Sequence, residues 1–209
     1  MKRLRKSQEP KIIRYYHCGE YGDKNGRPHY HACLFNHDFD DKKLWQVTDT
    51  GQRLFTSKKL QQLWPYGYST IGSVTFLSAA YVARYILKKV SGESASKYYE
   101  WIDPSTGEIH SIEPEYTTMS LKPGIGKAWF EKYHSDVYPD DFVVMNGKKM
   151  TPPKYYDGQY EHEFPTEYKK IKRERMSALN EHKENCTKDR LAVRETVQLK
   201  KLEQLKRTL

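Results

Sequence analysis

The run Arg27-Pro28-His29-Tyr30-His31-Ala32-Cys33-Leu34-Phe35 constrains this chain more than any other stretch. In an extended strand, successive side chains point to opposite faces. His29 and His31 therefore share one face, and Tyr30, Ala32 and Leu34 share the other. One face can be buried while the other offers two imidazoles to a single metal ion. Upstream, Ile12-Ile13-Arg14-Tyr15-Tyr16-His17-Cys18 is rich in strand formers, and Gly19 to Gly26 carries the glycines and the Asn-Gly pair of a turn. The two runs predict a β-hairpin with strands near 11–20 and 28–36. Its loop folds Glu20 back beside His29, so that Glu20, His29 and His31 form a candidate ligand set. Imidazole plus carboxylate suits Mn²⁺, Zn²⁺ or a loosely held Mg²⁺. Asp23, at the loop tip, is a weaker alternative ligand. His17 falls opposite the Glu20 face and reads as a core or surface residue.

The second informative stretch runs from Thr75 to Val90. Thr75 can cap a helix, alanine and leucine favour one, and Ser91-Gly92 ends it. Phe76, Ala80, Ala83, Leu87 and Val90 recur at helical spacing and predict an apolar, core-facing stripe. Tyr81 and Tyr85, with Lys88 or Lys89, form another face, and residues four apart are neighbours there. Paired tyrosines are usually packing residues. Here the helix already has a separate apolar stripe, and Arg84, Lys88 and Lys89 can hold phosphates. Tyrosine attack on phosphorus, assisted by a metal that polarises the phosphodiester, is a coherent reaction for such a set.

The rest of the chain punctuates these two features. Met1 to Pro10 predicts a helix end or a loose arm, and Asn36 to Thr56 a polar loop. Ser57 predicts a helix N-cap, Trp64-Pro65 its stop, and Tyr66 to Val74 a strand. Lys127 to His134 predicts a helix, and Asn146-Gly147 a hairpin turn. From Thr166 to Leu209 there are 13 basic against 7 acidic residues and no proline or glycine, which predicts a basic, solvated helical tail. The chain thus divides into a core at 1–103, an accessory region at 104–165 and the tail at 166–209. A net charge of +9 and 17 tyrosines, which can stack on exposed bases, point toward nucleic acid. Three widely spaced cysteines fit neither a disulfide framework nor a metal knuckle and favour a reducing compartment. With no apolar run of about 20 residues, no membrane partner is expected, and the chain reads as cytoplasmic.

Taken in order, these residues resemble a known family. His29-Tyr30-His31 followed by Tyr81-Val82-Ala83-Arg84-Tyr85 is similar to the HUH endonucleases that start rolling-circle replication, in their two-tyrosine form. Cys18-Gly19-Glu20-Tyr21-Gly22, Leu63-Trp64-Pro65-Tyr66-Gly67 and Pro123-Gly124-Ile125-Gly126 extend the resemblance to the replication initiators of gokushovirus-type microviruses, over about residues 1–157. The resemblance implies an α+β fold, an antiparallel sheet with helices mainly on one face. It implies a divalent metal, Mg²⁺ or Mn²⁺, held by His29, His31 and a variable third ligand at Glu20. Tyr81 and Tyr85 match the nucleophiles, with Lys88 in the catalytic set and Arg27, Arg84 and Lys89 toward DNA. Arg84 stands where lysine is common, keeping charge but changing geometry. The implied partners are a single-stranded DNA origin and host replication proteins, in the bacterial cytoplasm. One departure is expected to matter: nothing before Lys11 matches the apolar strand that precedes the His motif in the family, so the sheet should lack a central strand and show an open edge. The competing readings are a single-stranded DNA-binding accessory without chemistry, and a metal-dependent phosphoesterase that uses water.

Overall fold

The computed structural model describes residues 1–22 and 26–204. They form two compact units, 1–125 and 126–208. In the first unit the order is α1 (Lys2–Ser7), β1 (Arg14–Tyr21), β2 (Pro28–Phe35), β3 (Lys43–Val47), β4 (Arg53–Thr56), α2 (Lys58–Leu63) and α3 (Phe76–Arg84). A 3-10 turn (Tyr85–Lys88) extends α3, and α4 (Ala95–Tyr98), β5 (Glu100–Ile102), β6 (Ile109–Ser111) and β7 (Tyr116–Met119) follow. The expected hairpin is present: β1 pairs with β2 in antiparallel register from Arg14↔Phe35 to Tyr21↔Pro28. On its other side β1 pairs with β7, so the sheet order is β2-β1-β7. Residues 104–125, grouped above with an accessory region, thus contribute a strand to the central sheet. Among the described residues, β2 is an edge strand.

The α+β class holds, but helices cover both faces of the sheet. Cys33 and Leu34 alternate along β2, so each serves a different face. Cys18 and Cys33 pack under Val82 and Tyr85 of α3 and its extension. Leu34 meets Leu4 and Ile13, with Phe39 and the α2 leucines Leu60 and Leu63, on the opposite side. Met1 to Pro10 is therefore a docked helix with Leu4 buried, not a loose arm.

Other local expectations divide. Ser57 caps α2 by accepting a hydrogen bond from the Leu60 N–H, and Trp64 ends it. The stretch 36–56 is not a loop: β3 and β4 pair across it. All of β3 is exposed, so burial imposed no period-2 alternation for the sequence to display. No strand forms over 66–74, where Ile71 makes a single bridge to Phe55. The two glycines there leave too little side chain to hold a ladder.

The second unit contains α5 (Lys127–Tyr133), a 3-10 turn (His134–Asp136), β8 (Val143–Met145), β9 (Lys148–Met150), α6 (Lys154–Glu163), α7 (Pro165–Glu181), a 3-10 turn (Lys183–Cys186) and α8 (Lys188–Glu203). The Asn-Gly signal is a tight turn between β8 and β9, with φ of 50° at Asn146 and 75° at Gly147. Phe130, Val137, Tyr138, Tyr160, Tyr168 and Ile171 form its core. Tyr168 and Ile171 belong to α7, so the first part of the expected solvated tail is packed. Only α8 is exposed along its length, apart from a half-buried Leu202. Among the described residues, no helix is long and apolar enough to cross a membrane.

Candidate active site

The β1–β2 register sets Glu20 directly across from His29, and Cys18 across from His31. All four side chains share the sheet face under α3. Glu20 is buried, and its Oε2 accepts a hydrogen bond from Lys88 Nζ at 2.5 Å. Its Oε1 lies 3.5 Å from His31 Nε2. That Nε2 is buried and makes no hydrogen bond. Burial pushes the His31 pKa below the usual imidazole value, and the Glu20 carboxylate opposes the shift. His29 is exposed, and its ring rests on the backbone of Gly22. A Cβ there would come within 2.7 Å of the ring.

Helix α3 starts with a capping box between Thr75 and Ser78 and runs over the floor made by Cys18 and Cys33. Here the sequence expectation is corrected. Phe76, Ala83 and Leu87, from the anticipated core stripe, are exposed, while Val82 and Tyr85 are buried. The floor explains the choice. It is apolar at Tyr16, Cys18, Cys33 and Phe35 but polar at Glu20 and His31, which suits a tyrosine with an apolar body and a polar tip. Ala79 allows close approach. The change to 3-10 winding at Tyr85 then carries Lys88 over Glu20.

The two tyrosines meet at the histidine. The Tyr85 ring stacks on His31 with centroids 4.6 Å apart and planes 11° apart, and Tyr81 meets His31 edge-on at 5.9 Å. Tyr85 Oη donates a hydrogen bond to Tyr81 Oη. Burial, and then this bond to Tyr81, push the Tyr85 phenol well above its ordinary pKa. The Arg84 guanidinium lies 5.8 Å from the Tyr81 ring centre. Lys89 is exposed just past the 3-10 turn, and Arg27 is exposed at the entry to β2. Asp23 lies outside the described residues.

Glu20, His31, Tyr81, Tyr85 and Lys88 are therefore brought together, with Arg84 at the margin, whereas Arg27, His29 and Lys89 stand at the periphery. Among the described residues, no three His, Cys, Asp or Glu side chains are close enough together to hold a metal ion. The donor chemistry still fits a hard divalent cation, because a buried, unpartnered imidazole nitrogen lies beside a carboxylate oxygen. Sequence reasoning did not foresee the role of Cys18 and Cys33 as the floor, though period-2 alternation with Glu20 and His31 carried that signal. Burial, then the nearby Glu20, push the Cys18 thiol up to about 11, so it is an inert packing group.

A two-histidine strand facing a two-tyrosine helix on an antiparallel sheet is the arrangement expected of a phage replication-associated protein. Residues 1–90 match the family model for the ORF2-type replication-associated proteins, and the chain belongs to this family. It is 38% identical over 155 residues to replication-associated protein VP4 of Bdellovibrio phage phiMH2K, covering 74% of this chain and 45% of that protein. It is 35% identical over 173 residues to replication-associated protein ORF2 of Spiroplasma virus 4, covering 79% and 50%. Replication-associated protein ORF4 of Chlamydia phage 1 is 27% identical, covering 79% and 41%. The chain spans about half the length, or less, of these curated relatives. No solved structure matches it.

Proposed function

We propose that the chain initiates replication of a small single-stranded DNA phage, in the host cytoplasm, by nicking and rejoining origin DNA through a phosphotyrosine link. The observation that carries this reading is the meeting of Tyr81 and Tyr85 at His31, whose buried Nε2 faces Glu20 without a hydrogen-bond partner. Glu20 and His31, joined by His29, would hold a Mg²⁺ or Mn²⁺ ion. Such an ion, when bound, supplies positive charge that polarises a phosphodiester. Tyr81 is the first nucleophile. It is less buried than Tyr85, and a hydrogen bond donated by Tyr85 stabilises its phenolate. The Tyr81 Oη–P bond forms as the P–O3′ bond breaks. The phenolic proton leaves to solvent, and the 3′ oxygen takes the electron pair and a proton. Tyr85 then cuts the regenerated origin, and the free 3′-hydroxyl displaces Tyr81 from its phosphate, closing the strand. Arg84, Lys89 and Arg27 hold flanking phosphates.

The test is incubation with origin-strand oligonucleotides and Mn²⁺ or Mg²⁺, followed by a denaturing gel. A protein–DNA band is expected. Tyr81→Phe should lower its first-turnover rate by at least 100-fold (about 3 kcal/mol of barrier), Tyr85→Phe much less, and the double change should abolish it. Metal-dependent cleavage that persists without any adduct would instead support water as the nucleophile. Salt-sensitive binding with neither cleavage nor adduct would support a DNA-binding accessory.

A further inference from the structure

The sheet face opposite the candidate site has no role in that chemistry, yet it is built for a ligand. Gly19 is flanked in register by Tyr30 on β2 and Tyr116 on β7. The three strands set the two tyrosine Cα atoms about 10 Å apart on one face. Tyr116 lies down over the glycine: a Cβ at position 19 would come within 2.6 Å of its ring. Both rings remain open to solvent, Tyr30 at 52% and Tyr116 at 40%. Each is also fixed from the side. Tyr30 packs edge-on against Trp64 at 4.9 Å, and Trp64 against Tyr66 at 5.1 Å. Tyr116 abuts the His17 ring edge-on at 5.6 Å, and Thr118 Oγ1 holds His17 Nε2 at 2.8 Å. Rigid, exposed and pre-oriented rings on a sheet are stacking platforms for unpaired bases.

The same face continues into a cation-rich groove. His17 stacks on Tyr15, and the Arg5 guanidinium lies over the Tyr15 ring at 4.8 Å. Tyr15 forms one wall of a cavity of about 420 Å³ that is also lined by Arg5, Lys11, Arg14 and Lys122, against the single carboxylate of Glu9. Neutral oxygens orient the two guanidinium groups. Arg5 donates to the Ile13 carbonyl at 3.1 Å, and Arg14 to the Lys122 carbonyl at 3.1 Å. Their charge stays available to an anion. At the far end of the face, beyond Tyr21, stand Glu113 and Glu115. The charge gradient thus favours phosphates at the Lys122 end and bases over the tyrosines.

We infer that this face binds single-stranded DNA without sequence preference, stacking bases on Tyr30 and Tyr116 while the Arg14–Lys122 groove holds phosphate. Duplex DNA has no free base faces to offer and is excluded. The platform lies on the opposite side of the sheet from the tyrosine pair and does not depend on whether the chain nicks DNA.

The experiment is titration of a fluorescent dT20 strand, unrelated to any origin, with the purified chain. Tyr30→Leu and Tyr116→Leu should each weaken binding about ten-fold, while Tyr30→Phe and Tyr116→Phe should stay within about two-fold, because stacking needs the ring and not the hydroxyl. Arg14→Gln with Lys122→Gln should lower the slope of log K against log salt by about one. Circular dichroism checks each fold, and if Tyr116→Leu fails to fold, the half-exposed Tyr30 carries the test. Undiminished dT20 binding by folded Leu variants overturns the inference, as does equal loss in the Phe and Leu variants. The covalent band on origin DNA is scored separately, so either reading can fail alone.

Discussion

Glu20 is almost wholly enclosed, and Lys88 is the cation that meets it, with side-chain exposures of 5% and 18%. Removing one member of such a pair leaves the other's charge desolvated. Lys88→Met should therefore lower stability by about 2–3 kcal/mol, somewhat less than for a fully buried pair because Lys88 keeps some water. Glu20→Gln combined with Lys88→Met should recover much of that loss. Urea denaturation midpoints of the two single variants and the double variant decide the matter. Strictly additive losses would mean that the pair contributes nothing by its proximity. The same pair bears on chemistry. A cation entering beside His31 would compete with Lys88 for Glu20, so Lys88→Met should tighten Mn²⁺ binding in a calorimetric titration while weakening the fold. At this scale the sequence was partly readable. Alternation placed Glu20, His29 and His31 on one face, because a strand permits nothing else. It could not place Lys88 over Glu20, since that depends on α3 giving way to 3-10 winding at Tyr85.

At the level of elements, the orientation of α3 is the arrangement that matters most, and the apolar stripe pointed to the wrong face. Helical spacing correctly predicts that residues share a face but does not say which face the sheet will take. Here a mixed apolar and polar floor selected the tyrosine face over the more apolar one. Ala79 sets how closely the helix approaches Cys18 and Cys33. Ala79→Leu should overpack this contact, cost about 1–3 kcal/mol, and separate Tyr85 from His31. A lowered thermal midpoint together with a loss of adduct formation, while dT20 binding on the opposite face persists, is the expected pattern. Unchanged adduct yield would show that the helix position is not what assembles the site. Strand β7 escaped the reading for a different reason. Its few residues pair with a partner far earlier in the chain, which leaves no local signal in the sequence.

Within the second unit, α6 and α7 are joined by an electrostatic knot. Arg175 donates to both oxygens of Asp157, at 2.8 and 2.9 Å, and to both oxygens of Asp141. The Tyr138 hydroxyl also donates to Asp157 at 2.8 Å. Burial alone would raise the Asp157 pKa, but the Arg175 and Tyr138 hydrogen bonds overcome it and hold the carboxyl below the usual range. A depressed native pKa stabilises the fold above the unfolded value of about 4. That stabilisation is lost as pH falls through the native value, because the unfolded chain then takes up the proton first. Unfolding midpoints measured between pH 7 and pH 2 should fall more steeply in the wild type than in Asp157→Asn. Equal slopes would show that this carboxylate does not couple folding to pH.

Across the whole molecule, charge is distributed unevenly, and the two units contribute to DNA affinity through different physics. The first unit offers a shaped aromatic face and a cation-rich groove, where affinity depends on ring geometry. Helix α8 offers no shape: its apolar residues Leu191, Val193, Val197 and Leu199 are about half exposed, and no residue along it is buried. It carries Lys188, Arg190, Arg194, Lys200 and Lys201 against three acidic residues. An exposed helix of this kind attracts phosphate by counterion release alone. Truncation after Thr187 should therefore leave the thermal midpoint of the remainder unchanged within about 1 °C, since surface segments without buried contacts add little stability. It should also lower the salt slope of dT20 binding by about one to two units, without altering the ratio between the Tyr30→Leu variant and the wild type. If that ratio collapses toward one in the truncated chain, α8 and the tyrosine face act on the same stretch of strand, and the separation between shaped and unshaped binding fails.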